Sequence, residues 1–227
     1  MNNKKICFIM CTDNDVCASE SITYINRLYV PEGMQVEILT VKEATSMLSG
    51  YREGYESTDA GYVVFMHHDV FILNRYFIQD IISILSSDER IGLIGMVGAP
   101  KLSSDFIMWN DRRIGNHFIK GDNADYSGYR YSIDKEGYED VTVVDGFLMV
   151  YRRIEGKEAV FRDDILDGWD FYDVSMSIEV LKEGRRVVVP VQDQAWCLHD
   201  DQGLQSMLNY DRYRNIALEE YSGFIAS

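Results

Sequence analysis

The residues best equipped for chemistry are His67, His68 and Asp69, two imidazoles and a carboxylate that end the apolar run Gly61-Tyr-Val-Val-Phe-Met66. Tyr62 to Met66 show no polar alternation, the pattern of a strand buried on both faces. Side chains alternate along a strand, so His67 and Asp69 share one side and His68 takes the other. In open α/β sheets ligands bind beyond the carboxyl ends of the strands, which is where this triplet falls. Nitrogen and oxygen donors so placed suit a borderline or hard divalent cation, and such a cation can neutralise a diphosphate. The triplet fits equally a polar strand end in which Asp69 caps the next turn.

Two further clusters carry reactive groups. Around Gly168-Trp169 stand Asp170 and Asp173, and Asp173 sits where an N-cap of the following helix belongs. Near the other end, Trp196-Cys-Leu-His199-Asp-Asp201 follows the last apolar run. Arg152 and Arg153 place positive charge after another strand, for contact with phosphate or simply as a solvated strand end.

Elements must position these groups. Ile6 to Cys11 reads as a first strand that ends in the polar loop Thr12-Asp-Asn-Asp15, and a helix over Ala18–Leu28 follows. Val36–Val41 reads as a strand, Lys42–Gly54 as a helical or loop segment, and Tyr76–Leu85 as an amphipathic helix. Ile91–Val97 is a short buried strand, and Val141–Tyr151 a strand interrupted by Asp145-Gly146. A helix over Val174–Glu183 closes at Gly184, and Arg185–Val191 is the last strand. Such alternation predicts a mostly parallel central sheet flanked by helices. Pro100–Glu139, rich in Gly, Asp, Asn and Tyr, breaks the period and reads as a long mobile loop that closes over ligands; 202–227 reads as a helical tail.

Length and composition bound the rest. At 227 residues, 46% of them apolar, the chain reads as one globular domain over 1–227. A formal charge of −15 excludes a nucleic-acid surface, which needs clustered Lys and Arg, and an acidic protein that handles anions must neutralise them locally. Cys7, Cys11, Cys17 and Cys197 have no C-x-x-C spacing and read as free thiols of a reducing compartment. The first apolar run is too short for a signal peptide, and no stretch approaches the length of a membrane span, so the expectation is a soluble cytoplasmic protein.

Four features in this order carry a resemblance: a first strand ending in a polar loop, an apolar strand ending His-His-Asp-Val70, the strand Val-Asp145-Gly-Phe-Leu-Met-Val150, and Asp-Gly168-Trp-Asp-Phe-Tyr-Asp-Val174 opening a helix that ends Lys-Glu-Gly-Arg-Arg-Val187. Together they resemble the bacterial family-2-like glycosyltransferases of GT-A fold, in the small branch whose acidic metal motif carries a histidine. That resemblance implies a Rossmann-like α/β domain. It implies a cytoplasmic enzyme that moves a sugar from a nucleoside-diphosphate donor, a UDP-sugar first among them, to a glycan or lipid-linked acceptor, with inversion. It implies a metal held by His67, Asp69 and His199, with Mn²⁺ suiting the imidazoles better than Mg²⁺. Thr12, Asp13, His68 and Asp69 would bind the donor, and Asp145, Gly146 and Trp169 would line the acceptor side. The general base falls on Asp173, with Asp170 as runner-up; at an N-cap the dipole would lower the basicity of Asp173 and leave Asp170 the more basic. Tyr172 stands where the family commonly has an acid.

Two other functions fit the same residues. One is a non-catalytic nucleotide- or glycan-binding module of the same fold. The other is a metal-dependent hydrolase using His67, His68, Asp69 and His199, which the opposite facing of adjacent strand residues disfavours.

Overall fold

Strand β1 (Asn2–Cys11) leads into helix α1 (Asp15–Ile25), whose first turn is closed by Asn14 Oδ1 accepting from the Val16 and Cys17 amides. Then come β2 (Gln35–Val41), α2 (Met47–Glu56), β3 (Ala60–Met66), β4 (Val70–Ile72) and α3 (Phe77–Ser87). The middle holds β5 (Ile91–Gly95), β6 (Val97–Ala99), a 3₁₀ turn at Met108–Asn110, β7 (Ile114–Lys120), β8 (Tyr126–Tyr131), β9 (Tyr138–Asp140), β10 (Val143–Val144) and β11 (Leu148–Arg152). The chain finishes with α4 (Tyr172–Lys182), β12 (Arg186–Pro190), β13 (Cys197–His199) and α5 (Tyr210–Ile225). This computed structural model describes residues 1–120, 126–131, 137–157, 161–201 and 207–225.

The larger sheet has the order β2-β1-β3-β11-β5-β12-β9. Strands β2, β1, β3, β5 and β12 point one way, while β11 and β9 run against them. A smaller sheet, β10-β6-β7-β13-β4 with β8 on β7, stands beyond the strand ends. Two apolar cores flank the larger sheet. On one side Val63 and Phe65 pack with α2, α4 and α5; on the other Val64 and Met66 pack with Ile25 of α1 and Phe77, Ile78, Ile81 and Leu85 of α3. The unbroken apolar run of β3 is therefore what a strand covered by helices on both faces requires.

Three expectations change. Residues 100–139 are not one irregular loop, because β7 and β8 form and pair within them and β7 pairs outward with β6 and β13; 121–125 and 132–136 lie outside the described residues, as do 202–206 and 226–227 of the tail. The run 91–97 breaks at Met96, whose carbonyl accepts from Asn116 N and Gln192 Nε2 where the chain passes from the larger sheet to the smaller. Arg152 and Arg153 reach the carbonyls of Glu89, Leu85 and Tyr55, with Arg153 over the Tyr55 ring, so they tie helices to the sheet and bind no ligand of the strand-end cavity.

Gly95 closes β5 where β10 crosses it, and a Cβ there would fall on the Val144 side chain. Gly95→Ala is expected to destabilise the fold by about 1–3 kcal/mol, as overpacking of a close-packed core does, read as a lower urea midpoint with an unchanged m-value.

Candidate active site

A cavity of about 640 Å³ opens beyond the carboxyl ends of the larger sheet. Its floor is set by topology. Strand β11 runs against β3, with Leu148 opposite Met66, so the residues that precede β11 lie beside those that follow β3. His67 N donates to the Phe147 carbonyl at 3.0 Å. Strand β13 returns antiparallel to β4 with His199 opposite Val70, and Asp200 N donates to the Asp69 carbonyl at 2.9 Å. Helix α4 begins at the same edge because it leads back through Gly184, at φ 74°, into β12.

His67, Asp69 and His199 meet there, with one donor atom from each all within 4.8 Å. His67 Nδ1 is 3.3 Å from His199 Nε2, and His199 Nε2 is 3.5 Å from Asp69 Oδ1 in an ion pair. Asp69 Oδ1 is buried and accepts no hydrogen bond, so Asp69 does not cap the next turn. A buried acceptor without a donor is costly unless something else satisfies it. Burial, with the neighbouring His199, holds the His67 pKa down at about 3, which leaves a neutral imidazole with a free lone pair. Burial would also lower His199, but the contact with Asp69 and the charges of Asp69, Asp145 and Asp201 carry it above its ordinary value. Burial pushes Asp69 the other way, yet the histidines around it hold its carboxyl below the ordinary value. Two imidazole nitrogens and an unsatisfied carboxylate oxygen fit a divalent cation of Mn²⁺ character.

A second hydrogen bond orients His67. Its Nε2 lies 2.6 Å from Tyr172 Oη, and burial keeps that phenol protonated by pushing its pKa well up. When Nε2 carries the proton and donates to Tyr172 Oη, Nδ1 presents its lone pair to the cluster, the usual way an outer partner fixes a ligating imidazole. Gly146 makes room, since a Cβ there would overlap the Tyr172 hydroxyl. Phe147 stacks between His117 and His199, at centroid distances of 4.9 and 5.3 Å.

The carboxylates form the opposite wall. Asp173 is not the N-cap of α4: Phe171 holds that place at φ 62°, and Asp173 lies in the first turn with Oδ2 accepting from Gly146 N and Oδ1 from Val174 N. Burial first and then the charge of Asp145 raise its pKa to about 7, overriding the helix dipole and these two amides. Burial raises Asp145 and Asp170 as well, but Asp173 has the large shift, so the expected order of basicity is reversed. Trp169, half exposed, stands on the wall beside Asp170.

The remaining expected residues lie elsewhere. Thr12 bonds within its own loop to Asn14, and Asp13 is exposed with its carboxylate 3.8 Å from His68 Nδ1. Neither they nor His68 line the cavity, so a ligand set that includes His68 is not assembled. Sequence reading missed Tyr172 as a partner of His67, and the placement of His117 and Arg113 in the cavity wall. Alternation in Ile114-Gly-Asn-His-Phe-Ile-Lys120 was the available signal, blurred by the glycine and asparagine. Among the described lining residues Arg113 is the one fixed cation, facing Asp69, Asp145, Asp170, Asp173 and Asp201.

A model of a glycosyltransferase-like family matches residues 7–221. No curated protein sequence matches the chain. Among solved structures, S. aureus TarS 1–349 with UDP-GlcNAc superposes at TM-score 0.59 and 14% identity, covering 96% of this chain and 66% of that one. The mannosyltransferase PcManGT from Pyrobaculum calidifontis with GDP-Man and Mn²⁺ gives 0.53 and 12%, over 94% and 61%. GalNAc-T7 with UDP, GalNAc and Mn²⁺ gives 0.61 and 8%, over 97% and 50%. At these identities the likeness is one of fold, the GT-A type, and this chain spans between half and two thirds of those chains.

Two outcomes follow from the site geometry. A carboxyl with its folded pKa raised to about 7 binds a proton in the folded state that the unfolded chain releases near its ordinary value. The stability it supports is full at acid pH and is lost as pH rises through about 7. Between roughly pH 4 and 7, urea unfolding of Asp173→Asn should therefore lack a downward slope of up to about 1.4 kcal/mol per pH unit that the parent shows. Tyr172→Phe, which keeps the ring and deletes the hydroxyl, should weaken Mn²⁺ binding by about 10–100-fold in calorimetry and lower the unfolding free energy by about 1–3 kcal/mol, because His67 Nε2 loses its buried partner.

Proposed function

From the glycosyltransferase-like family, to which this chain belongs, we propose that it transfers a sugar from a nucleoside-diphosphate sugar to an acceptor hydroxyl with inversion. A UDP-sugar is the first donor to test, and the acceptor is a glycan or a lipid-linked sugar. One observation supports this reading above others: the cavity that holds the His67, Asp69 and His199 donors also holds, on its other wall, a carboxyl with its pKa near 7. A base poised near the working pH is what abstraction of a hydroxyl proton favours.

His67, Asp69 and His199 would hold a divalent cation, Mn²⁺ before Mg²⁺, whose charge offsets that of the departing diphosphate. Such charge is needed, since Arg113 is the one fixed cation among the described lining residues. Asp173 accepts the proton as the acceptor oxygen bonds to the anomeric carbon and the bond from that carbon to the phosphate oxygen breaks. Asp145 keeps Asp173 basic by its charge, and Trp169 offers an aromatic face on which a sugar packs. Asp170 shares the wall and is the alternative base.

The test incubates the protein with Mn²⁺ and a series of UDP- and GDP-sugars and measures free nucleoside diphosphate. Asp69→Ala should lose Mn²⁺-dependent UDP binding, and Asp173→Asn should lose turnover by about two orders of magnitude while still binding UDP. Unchanged UDP affinity in Asp69→Ala would sink the cation assignment. Loss of turnover in Asp170→Asn alone would move the base to Asp170.

A further inference from the structure

The smaller sheet has a second face. On β7, His117 and Ile119 point into the strand-end cavity, and alternation sends Asn116 and Phe118 to the opposite side. There they line a separate cleft of about 990 Å³ together with Leu73, Tyr76, Gln194 and Trp196. We propose that this cleft is a binding site for a neutral saccharide, distinct from the cavity that holds His67, Asp69 and His199.

Its side chains supply both halves of sugar recognition, apolar faces and neutral hydrogen-bonding groups. Trp196 is fixed edge-on against Phe77, with centroids 6.2 Å apart and planes at 83°. Tyr76, about half exposed at 53%, and Leu73, at 41%, border it. Gly128 stands opposite Phe118 on β8 and has no side chain to cover that ring. Asn116 is only 8% exposed, yet its side-chain amide makes no hydrogen bond among the described residues. An amide on the wall of a cleft, with no partner among the described residues, offers a donor and an acceptor to a ligand. Gln194 adds a second amide, free among the described residues. Asn74 does not, because its amide is spent on Asp80 at 2.7 Å and on Tyr76 N at 2.9 Å.

Charge argues against anionic ligands. Arg75 is the one cation among the described lining residues, against Asp80 and Asp193, which suits neither a phosphate nor a second nucleotide. Aromatic faces with uncharged amides and a carboxylate match hydroxyl groups and the apolar faces of sugar rings. The choice of saccharide rests on the transferase reading given above. Its source is either the remote part of the acceptor or a separate glycan.

The experiment is calorimetry of the whole chain against a length series of neutral oligosaccharides built from glucose, N-acetylglucosamine and mannose, with inorganic phosphate as the control. Binding is expected without UDP and Mn²⁺, not competed away by saturating UDP and Mn²⁺, and retained in Asp69→Ala. It should fall by about tenfold in Trp196→Ala and in Tyr76→Ala combined with Gln194→Ala. The second variant changes exposed residues only, so it decides the matter if Trp196→Ala fails to fold, and Mn²⁺-dependent UDP binding serves as the control for folding in both. A dependence on oligosaccharide length that appears only with donor bound identifies the acceptor's remote sugars as the source; affinity independent of the donor identifies a separate glycan. Binding of phosphate but of no saccharide overturns the proposal, as does the absence of all binding. Saccharide binding that disappears in Asp69→Ala yet survives both cleft variants places the sugar in the strand-end cavity and overturns it too. Failure of the transferase reading shows separately, as the loss of Mn²⁺-dependent UDP binding in the parent protein.

Discussion

Strand β11 runs against both neighbours it separates, and the site depends on that reversal. Had it run parallel, its carboxyl end would share an edge with β3, and its first residues would lie at the far side of the sheet. Running antiparallel, it sets Asp145, Gly146 and Phe147 against His67. Everything on the cavity floor refers to that junction. Gly146 lends its amide to Asp173 and its missing side chain to the Tyr172 ring. Phe147 lends its carbonyl to His67 and its ring to His117 and His199. A three-residue segment thus fixes groups drawn from β3, β7, β13 and α4.

Desolvation then decides how those groups are charged. Asp173 has two amide donors and a helix N-terminus in its favour, each of which lowers a carboxyl pKa. Burial and the neighbouring Asp145 outweigh them. At His67 burial works in the same direction as the nearby histidines and leaves the ring neutral. The floor therefore offers a neutral imidazole beside a carboxylate, and the far wall offers a carboxyl whose pKa is raised to about 7. Both states come from exclusion of water rather than from any single partner.

Much of this was legible in the sequence, for reasons that vary with the element. β3 could be placed because a strand buried on both faces leaves an uninterrupted apolar run, and its end located His67 and Asp69. His199 was reached only through resemblance, since nothing in Trp-Cys-Leu-His says that the strand pairs with β4. The cap expected at Asp173 failed because the left-handed Phe171, an unusual conformation for an aromatic, starts the helix earlier. Strand β7 went unseen: Gly115 at φ 111° and the alternation of Asn116, His117 and Phe118 hide a strand whose two faces both meet cavities. A strand is found by its contrast between apolar and polar faces, and here neither face is plainly one or the other.

Histidine at position 67 and tyrosine at 172 make physical sense as a pair. The cavity already holds Asp69, Asp145 and Asp173, and the charge of Asp145 adds to burial in raising the proton affinity of Asp173. A further carboxylate at 67 would add like charge at the end of β3, where burial already penalises ions. A neutral imidazole supplies a ligand atom without that repulsion, but its ring needs an outer partner to choose which nitrogen faces the cluster. An acid at 172 would raise the proton affinity of the ring and add a buried charge, which the phenol does not. In the tautomer with the proton on Nε2, the phenol accepts from it as a neutral group and the Nδ1 lone pair faces His199 and Asp69. A neutral imidazole at 67 and a neutral phenol at 172 therefore keep two further charges out of a cavity wall that already carries several carboxylates.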